Sequence, residues 1–422
     1  MMCTSQFKML GPIALAVMST ALSLSASADT ARGTSQPDAS EWKGQFDSDG
    51  YSARVGDMQL DIGGRLQFDV LKADSDARQL GTRSGLRRAG LNLSATWARN
   101  VELAAALSFD EDGAALSGLS LSFSAAVAGN DDRNDLRLRI GKFAGLVGME
   151  RRASSSDTLL MERGLLSALT SRSAWGASAG YAINGLSAEV AYFSDWNETQ
   201  TDTRGSDGKG FAARLAYGAV SSNDTNGDDS AWGMHIGVSG EIREPDQQLY
   251  RVRARPEAEL VDSRLLDTGL LTDVDKRSTY GMEAALLAGP VTLQAEYLSS
   301  TLDRENGSGS AGEVTVTGGY VQLGWVVTGE SRRYRSRAAA IGGVRPEGHW
   351  GAVELVARYS SLDLEDGQIT GGDGQVASAG VNWFVTRNVR LSLDAGRAEG
   401  QPNRAGNDEQ INFVQARLQL TL

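Results

Sequence analysis

The stretch from Leu136 to Arg172, LRLRIGKFAGLVGMERRASSSDTLLMERGLLSALTSR, decides how this chain is interpreted. It begins with strict alternation, in which Leu136, Leu138 and Ile140 lie on one face of a strand and two arginines on the other. About twenty-five residues without that alternation follow, which is too long for a hairpin turn and too apolar for a solvated loop. The stretch therefore predicts a strand followed by a loop that folds into a closed barrel and narrows it.

The rest of the chain shows the same alternation. No segment after residue 28 approaches the run of apolar residues that a membrane-spanning helix needs, so a chain that crosses a bilayer must do so as a closed sheet. The alternating segments that we predict as strands are 59–72, 86–98, 101–109, 116–123, 136–143, 174–183, 186–194, 211–219, 231–241, 280–288, 291–302, 314–328, 349–364, 376–385, 389–397 and 411–422. Their even number fits an all-β fold, a sixteen-stranded antiparallel transmembrane β-barrel.

The connectors between these strands mostly alternate between long and short, as expected when one end of a barrel faces outward. The loop at about 144–172 is the predicted constriction loop. The connectors Ser221–Ser230 and Gly329–Gly348 are exceptions, because both would be long and yet lie at the periplasmic end.

The first residues have the features of an export signal. Lys8 supplies a positive charge, Leu10 to Leu24 form a short apolar core, and a small-residue cleavage site ends at Ala28. We therefore predict a signal peptide at 1–28, a polar N-terminal periplasmic segment at 29–57 and a barrel at 58–422, located in the outer membrane of a Gram-negative bacterium. The single cysteine, Cys3, lies within the predicted signal.

Composition excludes some classes of function. A formal net charge of −12 argues against a nucleic-acid partner, because phosphate backbones bind basic surfaces. It does not exclude an anion channel, since charges inside a lumen and charges on outer loops act in different places. No segment has the pattern of a cofactor site, so we expect no cofactor.

Two weaker features bear on metals and on catalysis. Residues 223–229 are similar to a calcium loop but lack its closing Glu, so we interpret them as a solvated turn and predict no metal site. The two histidines, His235 and His349, lie near Trp232 and Trp350, which favours a place at the membrane interface. The alternative, a barrel hydrolase, requires one of these histidines to pair with a nucleophile or an acid.

Several stretches resemble the phosphate-selective porin O and P family in order and spacing. They are LDIGGRLQFDV, GLRRAGLNLSATWARNVELAAALSFD, LRIGKFAGLVGMERRASSSDTLLMERGLL, VTLQAEYLSST, GGYVQLGWVVTGESRRYR, EGHWGAVELVARYSSL and VNWF with the strands after it. The resemblance covers almost the whole chain after the signal. It implies a homotrimeric outer-membrane porin whose lumenal arginines pass inorganic phosphate, pyrophosphate or polyphosphate.

The resemblance also implies the site residues. Arg65 in the GGR motif, Arg151 after the GME turn and Arg163 in the ER dipeptide match the family's constriction site. Arg151 stands where phosphate-selective members have Lys. Two arginines begin the second strand: Arg88 has lumenal parity, whereas Arg87 has lipid-facing parity and is expected above the bilayer.

Two further groups of arginines belong to the predicted site. Arg139, and Arg137 beside it, are lumenal by parity. The family's outer arginine ladder falls on Arg251, Arg253 and Arg255, which the period of two places on one side of an extended segment. The alternative for this ladder is an exposed loop whose arginines pair with Glu257 and Glu259 or bind lipopolysaccharide phosphates.

Guanidinium groups suit an anion channel because they stay charged and offer a planar fork of donors to phosphate oxygens. The alternative for Arg65, Arg151 and Arg163 is structural pairing with Asp61, Asp69 or Glu162. We therefore expect a passive, diffusion-driven anion porin and no enzymatic activity. A general, weakly selective porin on the same scaffold is the alternative.

Overall fold

The computed structural model describes residues 43–47, 50–98, 100–110, 113–126, 135–194, 207–222, 230–304, 312–367, 369–401 and 408–422. In chain order the strands are β1 (Lys43–Asp47), β2 (Gly50–Val55), β3 (Met58–Ser75), β4 (Gly81–Trp97), β5 (Val101–Asp110), β6 (Gly113–Ala126), β7 (Asp135–Phe143), β8 (Ala174–Ile183), β9 (Leu186–Ser194), β10 (Lys209–Ser222), β11 (Ser230–Glu244), β12 (Arg253–Ala254), β13 (Leu266–Asp267), β14 (Val274–Ala288), β15 (Val291–Arg304), β16 (Gly312–Val326), β17 (Arg332–Arg335), β18 (Ala340–Val344), β19 (Ala352–Asp366), β20 (Ile369–Phe384), β21 (Val389–Gly400) and β22 (Glu409–Thr421). The helical segments are α1 (Met149–Arg152) and 3-10 turns at Leu165–Leu169 and Asp246–Gln248.

Sixteen of these strands form one closed antiparallel barrel, which confirms the predicted fold. Each barrel strand pairs with its neighbours in chain order, and β22 returns to pair with β3, where Leu420 lies opposite Leu66. Closure pairs the backbone groups of β3 and β22, the first and last strands of the barrel, as a sheet that spans a membrane requires. Among the described residues, no helix is both long and apolar enough to cross a bilayer.

The two ends of the barrel differ. Short turns such as Asn184-Gly185 mark the periplasmic end, and β3 starts at that end. The hairpin of β1 and β2 extends the sheet there, because β2 pairs with the first residues of β3. The part of the predicted N-terminal segment that the structure describes therefore continues the barrel wall.

The outer face of the barrel is apolar, as the alternation predicts. Ile140, Phe211 and Met282 project outward and are among the most exposed large side chains. Exposed apolar side chains in a continuous band fit a surface that contacts lipid.

The inner face contains a hydrophobic core that the alternation does not predict. Leu71, Leu362 and Phe413 lie on barrel strands and are buried inside it. They pack against apolar residues of two inward loops, Leu166 from loop 144–173 and Leu265 from loop 245–273. This core lies against β14 to β22 and the end of β3. A second, smaller buried cluster, which includes Phe193, lies on β7 to β10.

The long connector between β16 and β19 also folds into the lumen. It forms the hairpin of β17 and β18, in which Arg332 and Ala340 are fully buried. Arg332 pairs with Glu354 on β19, and its Nη1 donates to the Asp157 carbonyl at 2.6 Å. The lumen is therefore narrowed from the periplasmic end as well as from above.

Candidate constriction site

Loop 144–173 is fixed to the wall first through its backbone N–H groups. Glu296 on β15 accepts from the backbone nitrogens of Met149 and Glu150, at 2.9 and 2.6 Å. Asp394 on β21 accepts from the nitrogen of Met161 at 2.8 Å. These carboxylates supply partners to N–H groups that are shielded from water, where an unmade hydrogen bond is costly.

The backbone carbonyls of the same loop accept from arginines of the barrel wall. The donors are Arg277 to Leu169 (3.3 Å), Arg358 to Glu162 (2.8 Å), Arg390 to Leu159 (3.0 Å) and Arg417 to Met161 (2.5 Å). These arginines lie on β14, β19, β21 and β22, so the loop rests against that side of the barrel. Sequence reasoning did not assign them to the site, although Arg417 has inward parity beside outward Leu418.

Glu162 joins the loop to two further arginines. Its carboxylate accepts from Arg87 on β4 at 2.7 and 2.9 Å and from Arg417 on β22 at 2.6 Å, and Arg88 lies within 3.6 Å. Burial alone would raise the pKa of Glu162, but the charges of Arg87 and Arg88 hold that pKa well below its ordinary value. Glu162 is therefore an ionised anchor of the loop.

The prediction for Arg87 is wrong. The pairing of β3 with β4 shifts register at this point, so that Gln67 lies opposite Arg88 and Phe68 opposite Leu86. Arg87 is the extra residue of this β-bulge, and a bulge changes the direction of side chains that parity assigns. Both arginines consequently reach Glu162 in the lumen.

Arg65, Arg151 and Arg163 form no ion pair with any residue that the structure describes. Arg65 donates to the Ser156 hydroxyl at 3.3 Å, and Arg163 donates to the carbonyls of Glu150 and Ala153, both at 3.0 Å. Arg151 has no hydrogen-bond partner among the described residues, and the Nε atoms of Arg65 and Arg151 are buried without a partner.

The pairing expected under the alternative is therefore not observed. Asp69 pairs with Arg417, and Asp61 accepts from the Ser52 hydroxyl instead of from an arginine. Burial, followed by the charge of Arg163, lowers the pKa of Arg151 to about 10, which leaves the guanidinium charged at neutral pH. The three guanidinium groups thus have no carboxylate within ion-pair distance among the described residues, although Asp157 acts on Arg65 and Asp207 acts on Arg151 from farther away.

Part of the wall of the cavity that Arg65 lines is made of small side chains. Ala104 on β5 and Gly118 and Ser120 on β6 line the same cavity as Arg65 and Ser156. Small residues leave space next to the guanidinium groups. A cavity therefore lies between the loop segment around Ser156 and the wall formed by β3 to β7.

The remaining predicted wall arginine is paired. Arg139 donates to Glu189 on β9 at 2.7 Å, and Arg152 of α1 pairs with the same carboxylate at 2.9 Å. Arg137 pairs with Glu102 at 3.0 Å. Glu189 thus connects α1 of the loop to the wall at β9, in addition to the loop's contacts with β14 to β22.

The outer row of arginines lies in loop 245–273. Arg251 forms a two-point pair with Asp267, Arg255 pairs with Glu259, and Arg253 lies opposite Asp267 in the hairpin of β12 and β13. Glu257 does not pair with this row, because it is buried against Arg358 on the barrel wall. The contact of this row with anions stays a prediction.

The histidines occupy different environments. His235 is buried, with Nδ1 2.8 Å from the Tyr334 hydroxyl and Nε2 3.1 Å from Glu283, so its predicted interfacial place is wrong. Trp232 faces outward, and His235, three residues later on the same strand, has the opposite parity and faces the lumen. His349 is exposed beside Trp350. The loop 223–229 and the signal peptide 1–28 lie outside the described residues.

Comparison with known proteins gives a consistent result. The family described as phosphate-selective porin O and P matches residues 60–422. Porin O of Pseudomonas aeruginosa is 26% identical over 417 residues, which cover 85% of this chain and 87% of that protein.

Solved structures share the fold at low sequence identity. An anion-selective porin from Comamonas acidovorans superposes with a TM-score of 0.53 at 12% identity, covering 86% of this chain and 100% of the other. OmpT, an outer membrane protein of Vibrio cholerae, gives a TM-score of 0.53 at 12% identity, covering 87% of this chain and 99% of the other.

Proposed function

This chain belongs to the phosphate-selective porin O and P family, and on that premise we propose that it is an anion-selective channel for phosphate, pyrophosphate or polyphosphate. As a member it is an outer-membrane porin and not an enzyme. We infer the anion selectivity from one observation. Arg65, Arg151 and Arg163 have no ion-pair partner among the described residues.

Transport through this site is passive. An anion that enters from above loses part of its hydration at the narrow point, where guanidinium donors replace it. Arg163 is held in place by two carbonyls of its own loop, whereas Arg151 is unconstrained by hydrogen bonds to described residues. One fixed and one adjustable donor give moderate binding, and moderate binding allows release toward the periplasm.

The proposal is tested by reversal potentials across a salt gradient and by phosphate block of chloride current in planar bilayers. The variant is Arg151→Gln, because removing this side chain breaks no hydrogen bond to a described residue. A hydrogen bond to a charged group contributes about 1.5–3 kcal/mol, so we expect phosphate block to weaken by about tenfold or more. The reversal potential should also move toward zero.

Arg397→Gln is the matched control. It removes one positive charge from an exposed residue that pairs with Glu399 on the outer part of β21, away from the loop. Selectivity should be unchanged in this control. A cation-directed potential in the unaltered protein, or equal effects of both substitutions, would contradict the proposal.

The second candidate is a general, weakly selective porin. It is favoured by the carboxylates that neutralise several arginines, since Glu189 pairs with both Arg139 and Arg152 and Asp267 pairs with Arg251. In that case the reversal potential is near zero and phosphate does not block chloride current.

We also propose that the porin assembles as a homotrimer in the outer membrane, in contact with lipid and lipopolysaccharide. Membership of the family supports this assembly, and OmpT of Vibrio cholerae has been solved in a trimer form. The mass of the detergent-solubilised protein tests it, and a monomeric mass would contradict it.

A further inference from the structure

The short helix α1 determines where two of the arginines of the proposed anion site lie. Arg151 belongs to α1 itself. Arg163 is held by α1, because it donates to the Glu150 carbonyl and to the carbonyl of Ala153, which directly follows the helix, both at 3.0 Å. Arg151 has no hydrogen bond to a described residue, so the place of its side chain depends on the helix backbone. A residue that fixes the backbone of α1 therefore acts on both arginines.

Glu296 on β15 fixes the start of this helix. The first N–H groups of a helix have no partner within it, and here Oε2 of Glu296 accepts from the nitrogen of Met149 at 2.9 Å and Oε1 from that of Glu150 at 2.6 Å. The hydroxyl of Tyr320, on the neighbouring strand β16, also donates to Oε1. Glu296 is buried, and no cation among the described residues forms an ion pair with it. Three donors thus converge on one carboxylate of the wall, and Tyr320 restrains its orientation toward the helix.

Gly148, the residue before α1, allows this close approach. Its φ of 89° lies in the left-handed region that favours glycine. A Cβ atom at this position would lie 3.1 Å from Oε2 of Glu296, which is closer than an ordinary van der Waals contact. The fit between Gly148 and Glu296 therefore sets the distance between α1 and β15.

The polar contacts of α1 with the rest of the wall run through its side chains. Arg152 pairs with Glu189 on β9 at 2.9 Å, and the Glu150 carboxylate lies 3.3 Å from Arg358 on β19. Side chains adjust their torsion angles when a backbone moves, whereas a hydrogen bond to a backbone nitrogen fixes the helix itself. Glu296 is therefore the contact on which the position of Arg151 depends most directly.

We propose that Glu296, together with Gly148, is the positioning residue of the anion site and sets the places from which Arg151 and Arg163 meet a phosphate ion. The proposal rests on the proposed anion channel and adds to it a residue that touches no solute. Hydrogen bonds weaken steeply away from their preferred distance and angle, so a small shift of α1 weakens the contacts of both arginines with an anion.

A double-mutant cycle on phosphate block of chloride current in planar bilayers tests the proposal. Glu296→Gln turns one acceptor into an NH₂ donor that faces a backbone N–H group, so one bond to α1 is lost. The phosphate concentration that halves the current should rise about fivefold, as expected for one net hydrogen bond. Arg151→Gln raises it about tenfold in the unaltered protein but should raise it less than about threefold in the Glu296→Gln background, because a displaced Arg151 has little left to lose.

Asp394→Asn is the matched control. Asp394 on β21 also accepts from a backbone nitrogen of the loop, that of Met161 at 2.8 Å, but it bonds to no residue of α1. The control is again the change of an acid to its amide at a wall carboxylate. With Asp394→Asn as the reference, Arg151→Gln should still weaken phosphate block about tenfold. The unfolding midpoint of each variant shows whether the coupling merely follows stability.

Gly148→Ala tests the same contact without changing a charge or the wall. The added methyl group meets Oε2 of Glu296, and the φ of this residue is strained for alanine, so α1 should move away from β15. Phosphate block should weaken several-fold. The coupling with Arg151→Gln should be the same as in the Glu296→Gln background.

A tenfold effect of Arg151→Gln in both the Glu296→Gln and the Gly148→Ala backgrounds would overturn the positioning role and leave the anion channel in place. Equally strong coupling in the Asp394→Asn background would also overturn it, because the coupling would then be a property of the whole loop. A cation-directed reversal potential in the unaltered protein, or phosphate block that Arg151→Gln does not weaken, would contradict the anion channel and the positioning role together.

Discussion

Arg358 on β19 donates from Nε to the Glu257 carboxylate at 3.1 Å and from Nη2 to the Glu162 carbonyl at 2.8 Å. Its Nη1 reaches the Glu150 carboxylate at 3.3 Å, and Glu257 also accepts from the backbone nitrogen of Leu165 at 3.0 Å. One wall arginine, with 1% of its side chain exposed, therefore joins both inward loops to the barrel. The constriction is part of the wall and not a free flap.

Replacing Glu257 tests this connection. In Glu257→Gln the buried charge of Arg358 loses its nearest carboxylate, and breaking a buried pair in this way costs about 3–5 kcal/mol. We expect a lower unfolding midpoint and noisier open-channel current, because loop 245–273 loses its attachment. Glu399→Gln, at an exposed pair, should change neither quantity. Equal stability of both variants would show that Glu257 does not fasten the loop.

The outer arginine row gives a contrasting prediction. Arg255 donates to Glu259 and to the Val261 carbonyl, so its charge is already compensated inside its own loop. Partly exposed pairs contribute about 0–1 kcal/mol, and Arg255→Gln should change phosphate block less than threefold. The comparison is Arg151→Gln in the same bilayer assay. A tenfold loss in Arg255→Gln would instead support an outer anion ladder.

The barrel strands could be predicted because the signals for a strand and for a tight turn come from residues close together in the chain. In β22 the alternation of Arg417 inward and Leu418 outward is visible in the sequence and holds in the structure. The turn at Asn184-Gly185 likewise connects β8 and β9 as predicted. A period of two and short turns depend on neighbours along the chain, so all sixteen strands were found.

The contents of the lumen were not predictable in the same way. Leu71 has inward parity, yet nothing near it in sequence indicates that loop 245–273 packs on it. Arg87 turns inward because of a bulge that depends on the facing strand. The pairing of Arg332 with Glu354 requires the β17–β18 hairpin to fold into the barrel, and this depends on contacts between residues far apart in sequence.

Selectivity should be constant over a wide pH range. The pKa of Glu162 lies below its ordinary value, so its anchoring contribution is fully present above the unfolded value of about 4.3 and is lost only as pH falls through the folded value. The pKa of Arg151 is lowered only to about 10, so this guanidinium stays charged at neutral pH. The reversal potential should be flat from about pH 5 to about pH 8.5. A change of the reversal potential with a midpoint near pH 6–7 would show that another titratable group sets the selectivity.

The periplasmic hairpin provides a test of how the constriction is positioned. Arg332 donates to both oxygens of Glu354, at 2.6 and 2.8 Å, and to the Asp157 carbonyl of the loop at 2.6 Å. Arg332→Met leaves the fully buried Glu354 without its cation, which should cost about 3–5 kcal/mol of stability. It also removes the hydrogen bond to the Asp157 carbonyl, so that Asp157, which directly follows the Ser156 that Arg65 contacts, keeps only its carboxylate pair with Arg335 on the hairpin.

The double variant Arg332→Met with Glu354→Gln separates the two effects. Removing both buried charges should restore most of the stability, since an apolar or neutral replacement of a buried pair is often neutral. It does not restore the hydrogen bond to the Asp157 carbonyl, so the loop segment next to Arg65 stays displaced. Phosphate block should therefore be weakened in both variants, by several-fold, while the unfolding midpoint falls only in the single variant. If block recovers together with stability, Arg332 serves the barrel alone and the hairpin does not set the geometry of the constriction.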